Sequence, residues 1–500
     1  MQMKPTSDSV QRQQELSKLE SLPDDIFTKI LTYFIASKQD ESCNMEGVAF
    51  LYKSFSLVSK RLRRYCDVFC QTVPIDVMDQ WQDNYNMIAC ICRAKMKLSS
   101  LAVRDTEMNM RVSLFLYMLE KCDLSQLQVL DVRSFSSFRQ RQDADTISKA
   151  SEAGIPKHIF HKETEIFNEA KHVDTDASPF FFNMKIEELV LRGIRNVGND
   201  LPIQDLRFVL DFCDNEHSAG CVMDIITSCK DLQHLFFHVR YMATERLLID
   251  VTKAIETLSK MKSLEVSVHD NAKGKFDIKS DSIIDMIVSS PECEINQIIC
   301  PKLKKLDVCA LKFGESFLDS FASTSLETLT FTLQDFTLQE FESEPEENHR
   351  QQSFFVHNFI KMLPELKTLT LGGDGSTDSF PTRLRIESNS LEMIDATSIH
   401  TDMKLNFTHV SCPNLKHLAV FVDRDDIFFH SRYYCPIEVG NEELLLRLGL
   451  TIQTKIEEGL SDEERSDGVL RFATERTNTD LLSTLDIPES CIIFFQAYIP

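Results

Sequence analysis

Residues 300–308 read Cys300-Pro-Lys-Leu303-Lys-Lys-Leu306-Asp-Val308, and residues 412–420 read Cys412-Pro-Asn-Leu415-Lys-His-Leu418-Ala-Val420. Two distant stretches thus share one frame, Leu-x-x-Leu-x-apolar, with a Cys three residues before the first Leu. Cys229-Lys-Asp-Leu232 opens a third copy, Leu232-Leu235-Phe237. Without the Cys the frame recurs at Leu98-Leu101-Val103, Leu127-Leu130-Val132, Ile186-Leu189-Leu191, Leu326-Leu329-Phe331, Leu366-Leu369-Leu371 and Leu391-Ile394-Ala396. Leu264-Val266-Val268 reads as a degenerate copy. Leu303 to Leu326 is 23 residues, and the last two intervals are 25 and 24. Periods of this size mark a stacked-repeat architecture, in which no unit buries its own apolar face and neighbours complete the core.

Amphipathic helical patterns precede several copies: Met110–Leu119 before Leu127, Val251–Met261 before Leu264, and Phe354–Leu363 before Leu366. Thr72–Val77 has the composition of a short strand, and Asn86–Met96 is helical in pattern. A helix, a tight turn and a short strand, repeated, predict an α/β solenoid with parallel strands on its concave side and helices on its convex side. A small apolar Cys before the first Leu then suits the packed end of each helix. The longer intervals require insertions to be looped out.

The recurring frame with its Cys resembles the cysteine-containing class of leucine-rich repeats. The Asn or Cys usual a few residues past the strand in that class is mostly absent here. A second resemblance lies in residues 19–69. Ser21 is placed to cap a helix, with Leu22 and Pro23 in its first turn and Asp24 three residues on. Leu22, Ile26, Ile30 and Phe34 recur every four residues, laying one apolar stripe on a helical face. Leu51, Phe55, Val58, Leu62 and Tyr65 form a second stripe, interleaved with Lys60, Arg61, Arg63 and Arg64. Helices this short bury too little surface to stand alone, so they finish their core against a neighbour.

Leu22-Pro-Asp-Asp-Ile26 through Ile30-Leu31-Thr-Tyr-Phe34, followed by Ser56-Leu57-Val58-Ser-Lys-Arg-Leu62-Arg63, resembles an F-box. The gap between Phe34 and Val58 is longer than usual by about a dozen residues, a cheap change in a loop. Leu62 stands where Trp is frequent, and Ser59 where Cys is common. An F-box followed by leucine-rich repeats implies a substrate-recognition adaptor of a cullin–RING ubiquitin ligase. By position, Leu22, Pro23, Ile26, Ile30, Leu31, Phe34, Leu57, Val58 and Leu62 would contact the adaptor subunit and, through it, the cullin. The repeats would hold an unidentified substrate protein, and the transfer chemistry would lie in other subunits. The other reading is a leucine-rich-repeat scaffold or regulatory protein-binding protein outside a ligase, its N-terminal helices serving as a solenoid cap.

Composition agrees with an intracellular binding protein, cytoplasmic and/or nuclear. Five hundred residues suit two to four domains or one solenoid. A net charge of −23 argues against nucleic acid as partner, since phosphate contacts need a basic face. No apolar run reaches the roughly 18 residues of a membrane helix, and the first residues carry no signal-like apolar core. The 15 cysteines then read as free thiols.

Residues between the Leu positions of a strand point away from the core. These include Arg104, Arg133, Arg192, His234 and Thr370. They also include Lys304, Lys305, Asp307, Lys367, Lys416 and His417. Lys304, Lys305, Lys367, Lys416 and His417 suggest a basic stripe for an acidic or phosphorylated substrate segment, set against their being ordinary solvated strand residues.

The domain reading is a disordered tail over 1–18, an F-box over 19–69, a repeat solenoid over 70–440, and a cap or tail over 441–500. The polar stretches 134–178 and 339–350 read as insertions, the first of them mobile. His158-x-x-His161 has a metal-like gap but no second ligand pair, and Cys66, Cys70, Cys90 and Cys92 likewise lack a distal pair. No phosphate loop, nucleophile elbow or zinc-protease signature is present, so neither a catalytic residue, a metal nor a cofactor is expected.

Overall fold

The computed structural model describes residues 26, 29, 75–77, 85–103, 112–133, 144–170, 178–197, 201–213, 216–243, 245–268, 275–313, 317, 325–334, 357–374, 382–399, 405–421, 469–475, 485, 486, 488 and 490–498. The chain divides into two compact units, Met1–Arg240 and Tyr241–Pro500. It is a mixed α/β protein whose sheets are built chiefly from parallel strands.

In the first unit, β1 (Ile75–Val77), β2 (Leu98–Val103), β3 (Val129–Arg133), β4 (Asp205–Cys213) and β5 (His234–Ala243) lie side by side in chain order. Pairing is parallel from β1 to β4. Helices fill the connections: α1 (Tyr85–Ala94), α2 (Val112–Lys121), α3 (Ala144–Glu152), α4 (His161–Ala170), α5 (Ser178–Asn196) and α6 (Glu216–Ser228). Several bury a stripe at helical spacing. In α1 the stripe is Ile88, Ala89, Ile91 and Cys92, and in α2 it includes Phe115, Met118 and Leu119. Lys95, in the left-handed region at φ 49°, closes α1.

The second unit opens with α7 (Glu245–Thr257), whose Leu247, Val251, Ala254 and Ile255 are buried, and β6 (Ser263–Val268). Its main sheet runs β6, β8 (Asp285–Ile299), β9 (Lys305–Phe313), β10 (Thr328–Gln334), β11 (Thr368–Asp374), β13 (Met393–Ile399), β15 (His417–Phe421), β18 (Ile492–Tyr498), β16 (Val469–Glu475). All these pairs are parallel except the last, where β16 runs antiparallel to β18. The apolar C-terminal stretch forms β18, which with β16 supplies the last two strands of this sheet. A second, parallel layer contains β12 (Thr382–Glu387), β14 (Leu405–Ser411) and β17 (Leu485–Asp486). In the same way β7 (Lys275–Lys279) pairs with the second half of β8.

One backbone pattern repeats at eight strand entrances among the described residues. The carbonyl of the residue after the first Leu of the frame accepts the amides of two successive residues of the next strand. Gln204 and Asp205 donate to Gln128 at 2.8 and 3.0 Å, and Gln233 and His234 to Gln204 at 2.8 and 2.9 Å. In the second unit the same carbonyl role falls to Lys262, Ile284, Lys304, Glu327, Lys367 and Glu392, at 2.8–3.1 Å. The side chains follow: positions one, four and six of the frame are buried, as in Leu303, Leu306 and Val308.

This pattern corrects the repeat assignment. Ile186-Leu189-Leu191 is not a strand but part of α5, where Ile186, Val190 and Ile194 make a helical stripe. The strand unit there is Ile203-Leu206-Phe208, all buried. A further unit, Ile283-Met286-Val288, lies between Leu264 and Leu303, and the degenerate copy is framed as Met261-Leu264-Val266. Residues 144–170 of the insertion are not a loose loop: α3, a 3-10 turn at Lys157–Phe160 and α4 bury Ala150, Ile155 and Phe160.

The layer behind the sheet is also not helical throughout. Intervals of 29 residues, as from Leu98 to Leu127 or Ile203 to Leu232, contain helices. Intervals of 20–25 residues from Met261 to Leu303 and from Leu366 to Leu415 return through strands instead. A five- to seven-residue strand spans roughly 17–23 Å, and a helix needs about twice as many residues for that length. Cys229 follows α6, as the helix-end reading requires, but Cys300 and Cys412 follow strands. All three are buried, and each accepts the amide of the Leu three residues on, at 3.0–3.1 Å.

Leu369→Ala removes a fully buried side chain from the centre of the second sheet. Its expected cost is about 2–5 kcal/mol in denaturant unfolding. Thr370→Ala, on the opposite face, should cost less than about 1 kcal/mol.

Candidate protein-binding surface

Because side chains alternate along a strand, the buried positions of β9, β10, β11, β13 and β15 leave a second face. Register places its residues in rows. One row is Lys305, Thr328, Thr368, Met393 and His417; the next is Asp307, Thr330, Thr370, Asp395 and Ala419. Apart from exposed Lys305 and buried Ala419, these are half-buried. Each row thus carries two adjacent threonines, flanked in the second row by Asp307 and Asp395. Burial, with Asp285 nearby, raises the carboxyl of Asp307 above its usual value.

The five cations expected to bind substrate fall into two groups. Lys305 and His417 lie in the first row of this face. Lys304, Lys367 and Lys416 sit one residue earlier, at the strand entrances, where they are not a basic stripe. Glu327 stands between Lys304 and Lys367, at 3.1 and 3.0 Å, and Glu392 pairs with Lys416 at 2.6 Å. The two lysines beside Glu327, Lys367 first, hold its carboxyl below the ordinary glutamate value, and Lys416 does the same for Glu392. The leucines of the frame draw the eye from the position after the first of them, where Glu327 and Glu392 alternate with Lys304, Lys367 and Lys416. Arg192, expected on a strand, is on α5 and pairs with Glu188.

Among the nine residues expected to contact the adaptor subunit, Ile26 alone is described; it is helical and 39% exposed. Leu22, Pro23, Ile30, Leu31, Phe34, Leu57, Val58 and Leu62 lie outside the described residues, as do 1–18 and 339–350. His158 and His161 are both exposed, and among the described residues no cluster of metal-ligating side chains occurs. Burial pushes the thiol of Cys229 up to about 11 and those of Cys300 and Cys412 up to about 12, the reverse of what a nucleophilic thiol needs. Among the described residues, no helix is long and apolar enough to cross a membrane. The chain matches no protein-family model and no curated protein.

Behind the main sheet, Glu387 is held by Lys361 at 3.1 Å and by Arg385, and its carboxyl drops from 4.5 to about 2. A depressed acid stabilises the fold above its unfolded pKa and loses that contribution as pH falls through the folded one. The wild type should therefore lose stability between pH 4.5 and 2 more steeply than Glu387→Gln, in thermal unfolding followed across that window.

Proposed function

We propose that this chain is a substrate-recognition adaptor of a Skp–cullin–F-box ubiquitin ligase, working in the cytoplasm and/or nucleus. Residues 19–69 dock on the adaptor subunit, and leucine-rich repeats hold a substrate protein. The observation that carries the reading is Ile26. It belongs to the apolar stripe of the F-box-like stretch, yet it is exposed on a helix, as a docking residue must be and a solenoid-cap residue need not be. Parallel strands in register, with a polar hydroxyl-bearing face, support the second half of the reading.

The contribution of such a chain is effective concentration: holding substrate and ligase on one body makes their encounter intramolecular. Each apolar side chain buried on docking contributes roughly 1.5–3 kcal/mol, so a handful offsets the cost of association. The face of β9–β15 is the surface offered to substrate. At the strand entrances two glutamates offset most of the charge of three lysines, so selection rests chiefly on hydrogen bonding and shape.

The full chain should co-purify with the adaptor and cullin subunits. A variant with Leu22→Ala, Pro23→Ala and Ile30→Ala should be lost from the complex while keeping its circular dichroism. A well-folded wild type that is not captured would sink the ligase reading and leave a repeat scaffold.

A further inference from the structure

The interval from Leu127 to Ile203 is 76 residues, against 29 from Leu98 to Leu127 and from Ile203 to Leu232. The extra length builds α3, α4 and the 19-residue α5. It also builds a groove of about 1090 Å³ between α2, α4 and α5. Its floor is apolar, with Leu116, Leu119, Leu124, Ile166, Leu189 and Val197. Gly193 lies in it too; a Cβ there would stand 2.1 Å from Leu116 Cδ2, so the glycine lets α5 approach α2 closely.

The rim is acidic. Glu120, Asp123, Glu165, Glu169 and Glu188 line the groove against two cations, Lys185 and Arg192. Both cations pair with Glu188, Lys185 at 3.2 Å. Asp123 accepts the Ser125 amide at 2.9 Å, and that bond lowers its carboxyl pKa, so it is ionised at neutral pH. Glu165 and Glu169, one turn apart on exposed positions of α4, form no ion pair with another described residue.

We propose that this groove binds a basic amphipathic helix of a partner protein, with an apolar stripe on the floor and Lys or Arg along the rim. Charge complementarity selects the basic flanks. The walls select a helix over an extended strand. They are helices, whose backbone groups bond internally and offer no strand edge to an extended chain, whereas a helix brings its own bonds. Specificity for leucine-like side chains follows from the aliphatic floor. This site is separate from the surface proposed for substrate and does not depend on the ligase reading.

The test uses a fluorescent synthetic helix of about 18 residues, leucines every three or four positions and lysine elsewhere, titrated into the full chain. Binding should weaken at least about tenfold in Glu165→Lys/Glu169→Lys, both exposed and so neutral for folding. A similar loss is expected for a peptide of the same composition with the stripe scrambled. Equal affinity for both proteins and both peptides would mean attraction to a −23 chain at large and would overturn the proposal. So would an absence of binding to a well-folded chain. A second arm reverses Lys60, Arg61, Arg63 and Arg64 to Glu. A tenfold gain in peptide affinity would assign the groove to this chain's own basic stretch and overturn the external partner; unchanged affinity would support it.

Discussion

A carbonyl that accepts two successive amides from the next repeat is the contact on which both sheets depend. It fixes where each strand begins relative to the one before it. Once Gln128 or Lys304 has captured its pair of amides, every later residue of the incoming strand has its register and its face. Leucine at positions one and four then points inward by alternation, not by separate selection. Hydrophobic burial supplies the stabilisation, but the shared carbonyl decides which residues are buried. That is why repeats of 20 and 29 residues stack in the same manner: the excursion between entrances varies, and the entrance does not.

The strands were legible because six positions with three apolar anchors make a dense local signal. Where a leucine led the frame, the strand is found. Ile203-Leu206-Phe208 fits the frame no worse than Ile186-Leu189-Leu191 does, whereas Ile283-Met286-Val288 holds no leucine, so a leucine-weighted reading passes over it. Ile186-Leu189-Leu191 satisfies the frame by accident, because a helical stripe at 186, 190 and 194 also places apolar residues three to five apart. Pro179 in the first turn of α5 was the local sign of a helix. The strand returns carried their own signal: Arg383-Leu-Arg-Ile-Glu387 and Lys275-Phe-Asp-Ile-Lys279 alternate polar and apolar residues, and Leu384, Ile386, Phe276 and Ile278 are buried. Charge pairing was hardest of all. Glu327 and Glu392 are unremarkable one at a time and acquire meaning only when the frame copies are read as a column with Lys304, Lys367 and Lys416.

The insertion shows how a regular scaffold acquires an irregular surface. Extra chain between β3 and β4 leaves the hydrogen bonds of the strand entrances unchanged, with Gln204 still reaching Gln128 at 2.8 Å. The excess is folded into helices on one side. A sheet held by entrance contacts therefore tolerates large additions, and those additions are where a surface unlike the rest of the chain arises.

The column of strand-entrance side chains has a further consequence. From β9 to β15 it reads Lys304, Glu327, Lys367, Glu392, Lys416, with neighbours of opposite sign throughout. Each exposed pair is weak by itself, but the alternation has a parity. Removing one repeat from the interior would set lysine beside lysine or glutamate beside glutamate, whereas removing two adjacent repeats would preserve opposite signs. Strand pairing that skips a neighbour during folding makes the same error. Among repeats with nearly interchangeable leucines, the column marks odd from even.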